Sequence, residues 1–196
     1  GDKANRYTTH FNTIYEALCN EFGSSNVSYE AGVSYIQGRG KWDAEVCDET
    51  TIRRAVQKAK QHAVVVVCIG ENSYCETPGH LKDMNLSVNQ KNLVKALAQT
   101  GKPIVLILNE GRPRIIHDIE PLAEAVVHVL LPGNYGGDAL AALLSGRENF
   151  SGKMPYTYPR YINMLSTYDY KVSEMTATMA GVYNYDARID VLWPFG

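Results

Sequence analysis

Three segments hold the residue types that could do chemistry, and each directly follows an apolar run. They are Gly70-Glu71-Asn72-Ser73-Tyr74-Cys75-Glu76-Thr77-Pro78-Gly79-His80, Asn109-Glu110-Gly111-Arg112-Pro113 and Pro132-Gly133-Asn134-Tyr135-Gly136-Gly137. The first is the longest and carries two carboxylates, a tyrosine and a histidine. A carboxyl group on such a loop suits general acid/base work, in which it delivers a proton and takes one back. Glu71 and Glu76 are the candidates; the bland alternative is a pair of solvated loop carboxylates. Arg112 can bind a carboxylate or tie down loop carbonyls, and the second reading is preferred. His10, His62, His80 and His117 have no neighbours at metal-ligand spacing, so each is expected to be structural or exposed. Gly133–Gly137 runs G-x-x-G-G, which is neither the dinucleotide fingerprint nor a P-loop. It is expected to let backbones pack closely rather than to hold phosphate. A GxSxG elbow is absent. Cys19, Cys47, Cys68 and Cys75 show no CxxC spacing, and Cys68 reads as a core residue of an apolar strand. No His, Asp or Glu cluster has metal-ligand spacing.

The elements that must position these loops follow from periodicity. Phe11, Ile14, Tyr15, Leu18 and Phe22 share one helical face, closed by Gly23. Val27–Tyr29 reads as a short strand. Glu49–Lys60 is a helix with Ile52, Ala55, Val56 and Ala59 inward. Ala63–Ile69, Ile104–Leu108 and Ala125–Leu131 are continuous apolar, β-branched runs, the mark of strands buried on both faces. Ser87 and Gln90 form a capping-box pattern for a helix through Ala98. Ile115–Ile119 is a weak helical turn, and Gly136-Gly137 opens a last short helix. This alternation predicts an α/β fold, a mostly parallel sheet of about six strands with helices on both faces. Ligands of such sheets bind beyond the carboxyl ends of the strands, where the three loops fall.

Composition sets the outer limits. The chain has 196 residues, 45% hydrophobic and 20% charged, with a net charge of -2. That balance suits one globular domain over residues 1–196. It carries no electrostatic footprint for nucleic acid or an anionic membrane. No apolar run approaches the ~20 residues of a membrane helix. Residues 148–196 lose the regular periodicity and hold seven of the 13 tyrosines; they read as a loop-rich tail with one edge strand. The chain opens on polar residues without an initiator Met, shows no signal peptide at Gly1, and stops on the apolar Trp193-Pro194-Phe195-Gly196. It is therefore expected to be a fragment of a larger protein.

At the loops the sequence resembles the C-terminal sandwich domain of family-three glycoside hydrolases. Ala63 through Glu71 followed by Tyr74-Cys75-Glu76-Thr77-Pro78-Gly79 is similar to that family's strand and catalytic loop. Leu86 with Gln90 resembles its L-x-x-x-Q helix start. Gly101-Lys102-Pro103 through Leu108, then Gly111-Arg112-Pro113, is similar to its next strand and turn. Pro132-Gly133 through Leu140 resembles its glycine-rich turn. Asn149-Phe150-Ser151-Gly152-Lys153-Met154-Pro155-Tyr156-Thr157-Tyr158-Pro159 is similar to its N-x-S-G-[KR]-[LM]-P-x-[ST]-x-P signature. Gly79-His80 stands where relatives often show Gly-Asp, which leaves the role of that position open. The likeness covers residues 51–160 most closely.

The resemblance implies a three-layer α/β sandwich and an active site shared between two domains. A preceding barrel would bind the sugar and supply an aspartate nucleophile. This domain would supply the general acid/base, Glu76 by the motif, with Glu71 as second choice. The implied activity is that of a retaining, exo-acting β-glycosidase of the β-glucosidase type. Its substrate would be a small β-glycoside, and its location periplasmic or extracellular. Two alternatives remain: a non-catalytic carbohydrate-binding or scaffold domain from a degenerate relative, and an unrelated nucleotide-binding α/β domain. The implied chemistry requires no metal or organic cofactor, and the isolated fragment is expected to be inactive.

Overall fold

A computed structural model of the chain describes residues 11–35, 45–72, 79–162 and 191–196. Glu76, Cys75, Tyr74 and His10 lie outside the described residues. The first helix, α1 (Ile14–Phe22), starts at a full capping box: Thr13 Oγ1 accepts from the Glu16 amide at 3.2 Å, and Glu16 Oε2 accepts from the Thr13 amide at 2.8 Å. This satisfies two of the amides that a helix start leaves open. Strands β1 (Ser34–Tyr35) and β2 (Glu45–Val46) form a small antiparallel pair. Helix α2 (Glu49–Ala59) opens on Asp48, whose side chain accepts from the Thr51 amide at 2.8 Å. Its Ala55 and Ala59 are buried, and Ile52 and Val56 pack against the same core.

The main sheet is parallel, in the order β3 (Val65–Gly70), β4 (Ile104–Asn109), β5 (Ala125–His128). The three apolar runs thus become neighbouring parallel strands, as their composition required. Helix α3 (Val88–Ala98) joins β3 to β4 and, with α2, covers one sheet face. Leu93, Val94 and Leu97 there meet Val67, Ile69, Leu106 and Leu108 in the central core. Helix α4 (Gly136–Leu144) packs on α1 in a second cluster of Ala17, Leu18 and Ala141. Beyond it β6 (Tyr158–Pro159) pairs antiparallel with β7 (Val191–Trp193). The result is an α/β sandwich whose described residues hold one three-stranded parallel sheet and two antiparallel pairs.

Three local expectations change. Val27–Tyr29 is not a strand: Val27 packs against the α1–α4 cluster, and Ser28 Oγ pairs with His62 Nε2 at 2.7 Å, so the segment has side-chain anchors and no ladder partner among the described residues. Cys68 is exposed, because it points away from the face that Val67 and Ile69 bury. Ser87 caps α3 by accepting from the Gln90 amide at 3.2 Å, but the Gln90 side chain does not turn back to complete a box. It is buried and reaches across to β3 instead.

Candidate functional site

Gly70 ends β3 with φ +141°, and a Cβ there would lie 2.1 Å from the Asn109 carbonyl oxygen, so only glycine fits this close approach to β4. The Gln90 amide serves it on the open side, accepting from Gly70 N at 2.8 Å and donating to Gly70 O at 3.0 Å. Gln90 acts there as a one-residue substitute for a neighbouring strand. Its amide nitrogen also lies 2.6 Å from Tyr35 Oη and 3.2 Å from Glu45 Oε1. Glu45 Oε2 in turn accepts from Ser87 Oγ at 2.7 Å and Asn89 Nδ2 at 2.9 Å. A carboxylate at the start of α3 is favoured by the helix dipole.

The next residue is Glu71. Its amide donates to Asn109 O at 3.0 Å, and its side chain is only 1% exposed. Oε1 receives Arg112 Nη2 at 2.7 Å, Arg112 Nε at 2.9 Å and Arg114 Nε at 3.1 Å. Oε2 receives the amides of Gly111 and Arg112, both at 3.1 Å. Burial alone would raise the Glu71 carboxyl, but the hydrogen bond from Arg112 and the charge of Arg114 outweigh it and hold the group below the ordinary carboxylate range. Both expected duties fall to Arg112, since Nη1 also donates to the Gly79 carbonyl. Arg114 likewise donates from Nη1 to Asp83 O at 2.8 Å.

An open cavity of about 730 Å³ sits beyond the carboxyl ends of β3 and β4. Glu71, Asn72, Gly79 and His80 line it on one side, with Arg112 and Arg114 behind them. Tyr35, Glu45 and Ser87 form another part of its wall. Asn72 and Gly79 are the described residues that flank the segment carrying Glu76, and both line the cavity.

A second carboxylate, Glu110, follows β4 and is fully buried. Tyr158 Oη lies 2.6 Å from its Oε1, and His128 Nε2 lies 3.5 Å from the same atom. Tyr156 Oη contacts His128 Nε2 at 3.0 Å. Burial first, and then the charge of Glu110, raise the Tyr158 hydroxyl far above its ordinary value, so it remains a proton donor. Arg114, Glu110 and His128 were not singled out by sequence reading. For Glu110 and His128 the available signal was a charged or polar residue at the end of an apolar strand run, and Arg114 offered none.

The glycine-rich turn packs backbone closely. A Cβ on Gly136 would meet Pro132 Cβ at 2.4 Å, and one on Gly137 would meet Asn12 O at 2.7 Å. Gly136 therefore lets the turn close on Pro132, and Gly137 lets α4 approach the backbone at the start of α1.

The parallel sheet, the glycine-terminated strand and the cavity at the strand ends define an α/β sandwich domain with an open cleft at its strand ends. The model of the glycosyl hydrolase family 3 C-terminal domain matches residues 1–195, and the chain belongs to that family. A lysosomal β-glucosidase of Dictyostelium discoideum is 45% identical over 57% of this chain and 14% of its own length. A periplasmic β-glucosidase of Salmonella typhimurium is 36% identical over 61% of this chain and 16% of its own length. A solved β-glucosidase of Erythrobacter marinus superposes with a TM-score of 0.73 at 26% identity, over 94% of this chain and 27% of that one. The chain thus spans a minor part of the relatives it matches. No described helix is long and apolar enough to cross a membrane.

Proposed function

We propose that this chain supplies the general acid/base to a retaining, exo-acting β-glycosidase of the β-glucosidase type. The active site is shared with a barrel domain of the same longer protein, which binds the sugar and contributes the nucleophile. The observation that carries the reading is the cavity at the strand ends, into which both described flanks of the Glu76 segment open. Membership of the family and the β-glucosidase names of its relatives support it. The substrate class is a small β-glycoside. The proposed location, the periplasm or outside the cell, is supported by the periplasmic Salmonella relative.

The chemistry needs two carboxyl groups about 5–5.5 Å apart across the glycosidic bond. In the first step the barrel carboxylate attacks the anomeric carbon while Glu76 gives its proton to the departing oxygen. In the second, Glu76 takes a proton from water, and the resulting oxygen nucleophile displaces the enzyme carboxylate. The donor must therefore hold a proton near neutral pH, which burial under a second domain provides. Glu71 is suited to a different duty. Two guanidinium groups keep it ionised, so it has no proton to deliver. No metal or organic cofactor takes part in these steps.

The test is Glu76→Gln in the barrel-containing protein. Hydrolysis of glucosides with poor leaving groups should fall about 10²–10⁴-fold. Dinitrophenyl glucosides, which need no acid to depart, should still glycosylate the enzyme, and azide should then speed turnover by forming the glycosyl azide. If Glu71→Gln shows this behaviour while Glu76→Gln stays near wild type, the roles are reversed.

A further inference from the structure

The Glu71 carboxylate binds Gly111, Arg112 and Arg114, and the two arginines reach on to the backbone that follows the proposed catalytic segment. Its own amide is fixed to β4 through Asn109 O at 3.0 Å. Its carboxylate orients Arg112, whose Nη1 holds the carbonyl of Gly79 at the other end of the segment. The same carboxylate orients Arg114, which grips the Asp83 carbonyl four residues further on at 2.8 Å. Both guanidinium groups are therefore shared between one buried anion and the backbone that follows the segment. Residues 71 and 79, eight apart in sequence, are joined through a single side chain.

From this geometry we infer that Glu71, Arg112 and Arg114 form a clasp that fixes both ends of the segment 72–79, making them positioning residues for the acid/base. The inference rests on the proposed role of Glu76 and assigns no proton transfer to the clasp itself. A carboxyl group must meet the glycosidic oxygen within hydrogen-bond reach, and displacement by about 1 Å can cost about 10²-fold in rate. A planar guanidinium with fork geometry can hold a carboxylate with one edge and a carbonyl with another, whereas an ammonium offers a point charge. Arg112 uses Nε and Nη2 on Glu71 and Nη1 on Gly79, which is that division of labour.

The experiment compares Glu76→Gln, Arg112→Ala and the milder Arg112→Lys in the barrel-containing protein, using a series of aryl and alkyl β-glucosides. Arg112→Ala should lose about 10²-fold on alkyl glucosides while changing only a few-fold on dinitrophenyl glucoside. Arg112→Lys should recover part of the alkyl activity. Amide hydrogen exchange over residues 70–80 should also rise about tenfold in Arg112→Lys, with Ile104–Asn109 unchanged. This second reading keeps the inference open to refutation should Arg112→Ala fail to fold. If Glu76→Gln loses activity selectively on poor leaving groups but Arg112→Ala and Arg112→Lys lose it equally on all, or not at all, the clasp inference is overturned and the acid/base role stands. Unchanged exchange over residues 70–80 also overturns it. A Glu76→Gln profile that is flat across leaving groups overturns the acid/base role and, with it, the duty assigned to the clasp.

Discussion

Glu71 and Glu110 occupy matching places, each one residue past the end of neighbouring parallel strands whose last residues, Gly70 and Asn109, are in register. Both side chains are buried, at 1% and 0% exposure. Their surroundings differ in kind. Glu71 faces two guanidinium groups and two backbone amides at the rim of an open cavity. Glu110 faces the hydroxyl of Tyr158 and the ring of His128, and its Oε2 has no hydrogen-bond partner among the described residues. The contrast shows two ways to bury a carboxylate. One matches charge with charge and uses the excess donors to order nearby backbone. The other sets it against a tyrosine hydroxyl and an imidazole in the core. Arg114 belongs to both: its guanidinium binds Glu71, while its amide and carbonyl lie 3.1 Å and 2.8 Å from Tyr158 Oη.

The severest break of this comparison is Glu71→Ala. It leaves Arg112 and Arg114 side by side with no anion between them. Because both arginines keep some water contact, the loss should fall near the lower end of the about 3–5 kcal/mol typical of a broken buried pair. Urea denaturation of the chain reads it directly. Tyr158→Phe comes next, at about 1–3 kcal/mol, since it strips Glu110 of its short donor. The double variant should depart from additivity, because both changes meet at Arg114.

Acid separates the regions further. The Glu71 carboxyl is held low in the folded chain, despite burial, by Arg112 and Arg114. Burial would raise Asp118, but Lys95 and Lys91 bring it down to about 2. The unfolded chain takes up these protons first as pH falls. The stabilisation is therefore full above the ordinary carboxylate value of about 4 and is lost as pH falls through the depressed folded values. Melting temperature should drop between about pH 4 and pH 2, with a smaller acid-dependent drop in Glu71→Gln. The smallest effect, and a control remote from both carboxylates, is Thr13→Ala. Loss of its cap should cost about 1 kcal/mol and add independently to Glu71→Ala.

Much of this frame could be read from one-dimensional pattern. Val65–Gly70, Ile104–Asn109 and Ala125–His128 are dense in β-branched and aliphatic residues, and burial in a parallel sheet is what such density serves. Helix α2 announced itself through Ile52, Ala55, Val56 and Ala59. The failures have a common cause, long-range pairing. Gln90 has the spacing of a capping box, but an edge glycine twenty residues away offers its amide a donor and an acceptor together. Val27–Tyr29 has strand composition, yet its neighbours in space are helices and His62. Arg112 was legible as a loop tie, whereas its partnership with Glu71 required knowing that β3 and β4 are adjacent. Arg114 and Glu110 carried no motif, and only the fold brings Arg114 to Glu71 and Glu110 to Tyr158. The role proposed for Glu76 rests on motif alone, since it lies outside the described residues.

The most direct measurement of the central claim is nitrophenol release from aryl β-glucosides by three samples: the purified 196-residue chain, the barrel-containing protein, and the chain carrying Glu76→Gln. The account assigns this chain one of the two carboxyl groups that retaining hydrolysis requires. It therefore predicts turnover by the barrel-containing protein and none by the chain, with or without Glu76. Turnover by the chain at a rate comparable to the longer protein, abolished by Glu76→Gln, would contradict it.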